Sequence, residues 1–291
     1  MRISSSAVSN PTPDAVHGSV TTILAESRRS LRSYVDEVWR RRDLLFFLVL
    51  RDIRVRYAQT VLGFGWSILQ PLLQMIVFSI FFGALAGISS GDVPYPVFSL
   101  AAVVPWTYFL NTVTASSGSL IANAQLVTKV YFPRILIPLA PIGAGLVDLA
   151  IALGLLFVVV LAFGVVPPFP ELLLLPIPIV LLVLAATGIS LWLSALGAQY
   201  RDVRFVTPFF LQTLLFVTPV IYVVSEVPER LRPLYSLNPL VGVVSGFRAL
   251  VLGQGDIPWD AMTTSLVVSL ILLVLGLRYF RRVERAFADI A

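Results

Sequence analysis

Runs of about 20 apolar residues recur along this chain, and each is long enough to cross roughly 30 Å of hydrocarbon as a helix. In lipid every backbone N–H and C=O must find its partner inside the protein, so only helices and closed barrels can span. The alternating ten-residue strands of an outer-membrane barrel are absent. Composition agrees: of 291 residues 57% are hydrophobic and 13% charged, with a mean hydropathy of +0.89. The fold class is therefore an all-α polytopic membrane protein. Six spans are expected at about 61–87, 95–122, 136–164, 171–197, 204–224 and 258–279. Pro71 and Pro105 fall inside the first two, Pro176 and Pro178 in the fourth, Pro208 and Pro219 in the fifth. Each frees a carbonyl that neighbours or water must satisfy, which points to a tightly packed bundle around a cavity.

The polar segments divide the rest. Residues 1–33 are rich in Ser, Pro and Val and are expected to be disordered. They hold no apolar core, so no cleavable signal peptide is expected and the first span serves as its own insertion signal. Residues 34–60 surround the apolar centre Leu44–Leu50 with arginines, Trp39 and Tyr57. That centre is too short to span and suits an amphipathic helix lying in the headgroup layer; a solvated helix packed on a soluble partner is the alternative. Residues 61–291 form the transmembrane domain.

Orientation follows from the basic residues. Ten arginines precede the first span, Lys129 and Arg134 follow the second, Arg201 and Arg204 follow the fourth, and Arg278, Arg281, Arg282 and Arg285 close the chain. The other side carries only Arg230, Arg232 and Arg248. Both termini are therefore expected in the cytoplasm. The same distribution assigns the net charge of +5 to membrane topology, not to nucleic acid.

Several chemistries are excluded. With no cysteine there are no disulfides or thiolate metal sites. The single histidine, His17, lies in the polar extension and carries no assigned role. The single lysine, Lys129, sits in VTKVY, so there is no GxxxxGK[ST] phosphate loop. No nucleophile–histidine pair and no metal cluster stand out. No enzyme chemistry and no cofactor are expected on this chain.

Three features stand out from the apolar background. Asn123–Pro138 is a polar, aromatic break between two spans that can form a short amphipathic helix ending at Pro133, with a polar side turned towards a partner. The external connection Val223–Ile257 contains an amphipathic piece, Pro228–Tyr235, and then LVGVVSGFRALVLG after Asn238-Pro239. The latter is too short for a seventh span and fits a re-entrant or interfacial helix, with Arg248 snorkelling to headgroups or pairing with an acid. Asp148 stands alone near the middle of the third span. Two readings stay open for it: a hydrogen bond across a close interface made by Gly143 and Gly145, or a role in a cavity or proton path. Most of the many aromatics are read as lipid-facing or core.

Four stretches carry a resemblance. RDIRVRYAQTVLGFGWSILQPL (Arg51–Leu72), LVTKVYFPRILIP (Leu126–Pro138), YRDVRFVTPFFLQTLLFVTPVIY (Tyr200–Tyr222) and NPLVGVVSGFRALVLG (Asn238–Gly253) resemble the permease subunits of type-2 ABC transporters that export polysaccharides and polyol-phosphate polymers. KVYFPR after the second span and NP…GFR before the last are specific as a pair. The likeness runs from Arg40 to the C-terminus. It implies a homodimer of six-span subunits in the cytoplasmic membrane, two docked copies of an ATP-binding subunit that hold ATP and Mg, and a lipid-linked polysaccharide as cargo. It implies that Gln125, Thr128, Lys129, Tyr131, Phe132 and Arg134 dock the ATPase. It also implies that Asn238, Pro239, Phe247 and Arg248 belong to an external gate, and that the first and fifth spans surround the path. Trp66, Asp148 and Phe209 are candidates for the path or an interface. Arg51, Arg54 and Arg56 form a basic rim for lipid or cargo phosphate.

The expected function is thus the channel-forming subunit of an ATP-driven exporter. A type-2 exporter of a small molecule is the alternative within transport. A membrane-embedded glycan-assembly enzyme lacks clustered catalytic groups, and a secondary carrier lacks the internal repeat such proteins show.

Overall fold

A computed structural model describes the backbone of residues 31–58, 60, 62–129 and 132–288. Most of the expected polar extension, residues 1–30, lies outside the described residues. The chain divides into two units, one ending at Arg41 and one running from Arg42 onwards. The first contributes α1 (Leu31–Arg40), on which Trp39 is exposed. The expected single interfacial helix is two helices, and the break falls within the run Arg40–Arg42.

The second unit holds α2 (Arg42–Tyr57), α3 (Gly65–Phe78), α4 (Tyr95–Ala122), α5 (Ala124–Lys129), α6 (Leu136–Ala162), α7 (Pro176–Gln199), α8 (Val203–Phe216), α9 (Arg232–Tyr235), α10 (Pro239–Leu252) and α11 (Trp259–Ala288). A π-helical stretch, Ser79–Leu85, continues α3. There is no strand among the described residues. Five helices are long and apolar enough to cross a membrane: Gly65–Leu85, Tyr95–Ala122, Leu136–Ala162, Glu171–Gln199 and Trp259–Glu284. These coincide with five of the six expected spans.

The fifth expected span, 204–224, differs. Its helix, α8, has 14 residues, or about 21 Å at 1.5 Å per residue. The chain then runs through turns from Val217 to Tyr222. Pro219 explains the stop, because it lacks the N–H that would continue the ladder and its ring disfavours helix before it. A sixth crossing by length arises instead from a bent pair, Glu229–Tyr235 and Pro239–Leu252, which meet at 103°. So sharp a bend fits the re-entrant reading. Asn238 caps α10 by accepting the Leu240 N–H at 3.0 Å, and Gly253 ends it with φ +66°. Both boundaries are where the sequence places them.

The core is organised on α4. It packs against α6, α7, α10 and α3, and its residues from Val97 to Phe109 are buried almost without interruption. Trp106, Phe98 and Phe109 are among the largest fully buried side chains. By contrast α3 and α8 present apolar residues outward, including Leu73, Val77, Phe205, Phe209 and Phe210. The second span is thus a core helix, and the first and fifth are peripheral ones within a single subunit.

Candidate functional site

A cleft of about 610 Å³ opens beside α3 and α8 and is lined by α2, α3, α4, α6 and α8. Its placement begins with two glycines. A Cβ on Gly145 would lie 2.3 Å from Thr112 Cγ2, so only glycine lets α6 approach α4 this closely. A Cβ on Gly143 would lie 2.7 Å from Val49 Cγ2, so glycine also seats α2 on α6. That seat carries the end of α2 to the middle of α6, where Asp148 lies.

Asp148 is therefore not alone. Arg56 donates from Nη1 to its Oδ2, and Tyr57 donates from its hydroxyl to Oδ1. Ser67, near the start of α3, donates to the same Oδ1 at 2.6 Å. The carboxylate thus receives three donors from two elements, as a charge at membrane depth requires. Of the two readings left open, the cross-helix tie is present, and Asp148 also lines the cleft. Next to it, Asn111 on α4 donates to Gln70 Oε1 on α3 at 3.2 Å. Trp66, Thr107, Thr114 and Gln212 also line the cleft.

A second polar cluster is built around Arg248, which is 6% exposed. It neither snorkels nor meets an acid, which corrects the expectation from sequence. Its guanidinium donates to the carbonyls of Pro219 (2.6 Å), Val220 (2.8 Å), Tyr222 (3.1 Å) and Phe98 (3.3 Å), and its Cζ stands 3.5 Å over the Phe98 ring. The physical reason is the break after α8. Once the helix stops, its carbonyls need donors that lipid cannot supply, and the flat five-donor fork of arginine reaches several at once. Asn238 adds bonds to Val217 O (3.2 Å) and Thr218 Oγ1 (2.9 Å), and Tyr95 donates to Ile221 O at 2.8 Å. Non-helical backbone is thereby tolerated because it is buried and saturated.

The ABC-2 type transporter family model matches residues 43–252, most of this chain. The chain belongs to the ABC-2 type transporter family. It is 27% identical over 248 residues to the O-antigen export system permease protein RfbA of Klebsiella pneumoniae, covering 85% of this chain and 95% of that one. The RfbA of Myxococcus xanthus is 27% identical over 258 residues, with 88% and 98% covered. The polysialic acid transport protein KpsM of Escherichia coli is 26% identical over 240 residues, with 82% and 93% covered.

Within this ABC-2 subunit the other residues singled out from sequence fall into three groups. In the expected docking segment, α5 is a six-residue helix containing Gln125. Tyr131 lies outside the described residues, and Thr128 and Lys129 are described through their backbone alone. Phe132 is buried in its own subunit, and the Arg134 N–H donates to the Glu284 carboxylate on α11 at 2.9 Å. On the basic rim, Arg51 pairs with Asp52 at 2.8 Å and Arg56 with Asp148, while Arg54 is exposed. Of the residues expected at an external gate, Phe247 is fully buried and Pro239 opens α10, so with Asn238 and Arg248 they hold α10 in place. Phe209 is 72% exposed on α8. Among the described residues no group of His, Cys, Asp or Glu can hold a metal.

Sequence reasoning missed Thr107, Asn111, Gln70 and Gln212. A signal was present, since uncharged polar residues recur at helical spacing inside otherwise apolar spans, but their meeting needs the packed bundle.

Proposed function

We propose that this chain is the membrane-spanning subunit of an ATP-driven exporter that moves a lipid-linked polysaccharide or polyol-phosphate polymer across the cytoplasmic membrane. The observation that carries the reading is the nearly end-to-end match to permeases named for O-antigen export and polysialic acid transport. Two copies pair across the outward faces of α3 and α8, and two ATP-binding subunits dock beneath them. ATP and Mg reside on those partners. Both termini face the cytoplasm, as the arginine distribution requires.

The docking surface is α5 with the segment up to Arg134, which the Arg134–Glu284 bond ties to the last span. A push on this segment reaches α11 and α6 directly. Arg54, exposed on α2, is offered to phosphate-bearing headgroups or cargo. The helix pair α9–α10 forms the external gate, hinged where the two meet.

The reading is tested by co-expressing the chain with the ATPase encoded beside it and purifying both in nanodiscs. A stable complex is expected, whose ATP turnover is lost or uncoupled when Lys129, Tyr131 and Arg134 are replaced by Ala. Failure to form a complex with any candidate ATPase would remove the exporter assignment.

A further inference from the structure

Arg134 stands in the turn that leads from α5 into α6, and its N–H is taken at 2.9 Å by the carboxylate of Glu284, 150 residues away. The acceptor has to come from outside the segment. Pro133 has no N–H of its own, and Ile135, at the cap of α6, offers no side-chain bond. A carboxylate suits the positive end of a helix, and a charged acceptor makes a stronger bond than a neutral one. Glu284 is held at this reach by its own helix. It shares a face of α11 with Phe280 and Val283, which are 2% and 4% exposed, while Arg278 and Arg282 on the opposite face are exposed. On the receiving side, Phe132 and Ile135 are buried to either side of Arg134.

The other end of α11 is fixed to α10. Ser265 is fully buried, and its hydroxyl accepts the Gly242 N–H at 3.0 Å. A Cβ on Gly242 would collide with the Ala261 carbonyl and with that hydroxyl, so only glycine lets α10 sit here. Ser265 and Glu284 are about 28 Å apart along one unbroken helix, at 1.5 Å per residue. Between them α7 braces α11. Trp192 stacks on Tyr279 with ring centroids 5.2 Å apart, and the Tyr279 hydroxyl donates to Gln199 Oε1 at 2.9 Å. A Cβ on Gly188 would stand 2.8 Å from Leu273 N, so the two backbones lie close enough to resist bending. Helix α11 thus carries a directional bond to the α5–α6 segment at one end and to α10 at the other.

We infer that α11 is a rod that transmits displacement of the α5–α6 segment to α10, with Glu284 as the positioning residue at its input and Ser265 at its output. This rests on the docking of the ATPase proposed above and adds how that docking is felt at α10. The route runs along the rim of the bundle and leaves α4, whose burial is almost complete, undisturbed. Helix α6 offers a second route, through α4, and the two are separable because that route contains neither the Glu284 bond nor the Ser265 bond.

The test uses the full chain with the ATPase encoded beside it, held in phosphatidylcholine nanodiscs. Leu237, exposed just before α10, is changed to Cys in the cysteine-free chain, and its thiol labelling rate is read with and without ATP and Mg. ATP changes that rate roughly fivefold or more. Glu284→Gln keeps the length and an oxygen acceptor, and keeps the response. Glu284→Asp keeps the charge but is one carbon too short, and loses the response, as does Ser265→Ala. The ATPase still co-purifies with all three variants. Amide exchange at Arg134 is about tenfold faster in Glu284→Asp and unchanged in Glu284→Gln. A full response in Glu284→Asp, or unchanged exchange at Arg134, overturns the role of Glu284. A response lost in Glu284→Gln makes charge the requirement in place of the bond, and overturns it too. A response kept in Ser265→Ala sends the displacement through α6 and α4 and overturns the rod. A complex whose parent chain shows no response at Leu237 also overturns the rod and leaves the export reading intact, whereas no complex at all removes that reading and the inference with it.

Discussion

Arg248 and Asp148 are both charges set among apolar helices, and they are satisfied in opposite ways. Asp148 gathers a counter-ion and two hydroxyls, whereas Arg248 gathers only backbone carbonyls. Replacing Arg248 by Lys keeps the charge but not the fork, and with three N–H donors for four carbonyls at least one of them loses its donor. With each buried unpaired group costing about 1–3 kcal/mol, Arg248→Lys is expected to lower the thermal midpoint of the purified subunit sharply, and Arg248→Met more so. A midpoint unchanged in both variants would show that water satisfies the break. The sequence marked Arg248 as unusual but pointed it at headgroups or an acid. Nothing in a linear pattern shows that Pro219 and Val220 stand 29 and 28 residues away in the chain yet beside its guanidinium.

Helix α2 is the element whose position depends on the smallest cause. It lies against α6 because residue 143 has no side chain, and its seat delivers Arg56 and Tyr57 to Asp148. Gly143→Val is expected to push α2 away from α6, since stiff Val49 cannot yield by rotamer change alone. The expected readout is faster proteolysis near Tyr57 and loss of the bound ATPase. Val49→Ala in the same chain restores both if the clash is the cause; an unrescued double variant would place the fault elsewhere. Helix α8 teaches the complementary lesson. Its apolar content reads as a full span, and only the turn behind Phe216 shows that the last eight residues of that run leave the α-helix.

For the whole molecule, one subunit leaves α3 and α8 uncovered while burying α4 almost completely. Pairing through that uncovered face would place the polar cleft next to the partner copy and close a path between them. In the cysteine-free chain, Phe209→Cys on α8 is therefore expected to cross-link two copies in nanodiscs with a short bis-maleimide. Val158→Cys, equally exposed on α6, is expected not to. The reverse pattern would put the dimer contact on the opposite side.

Hydrophobic run length and local motifs follow from composition and short-range order, so the sequence by itself determined an all-α membrane protein, five of its spans and its likeness to a transporter family. The limits of α10 were equally legible, because Asn238-Pro239 and Gly253 act through local backbone geometry. Tertiary structure alone decided which span is core and which is peripheral, since all are similarly apolar and only packing selects a burial order. It also decided the partners of Asp148 and Arg248. Those depend on side chains that are distant in sequence converging in a medium without water, where an unpaired polar group is too costly to leave to chance.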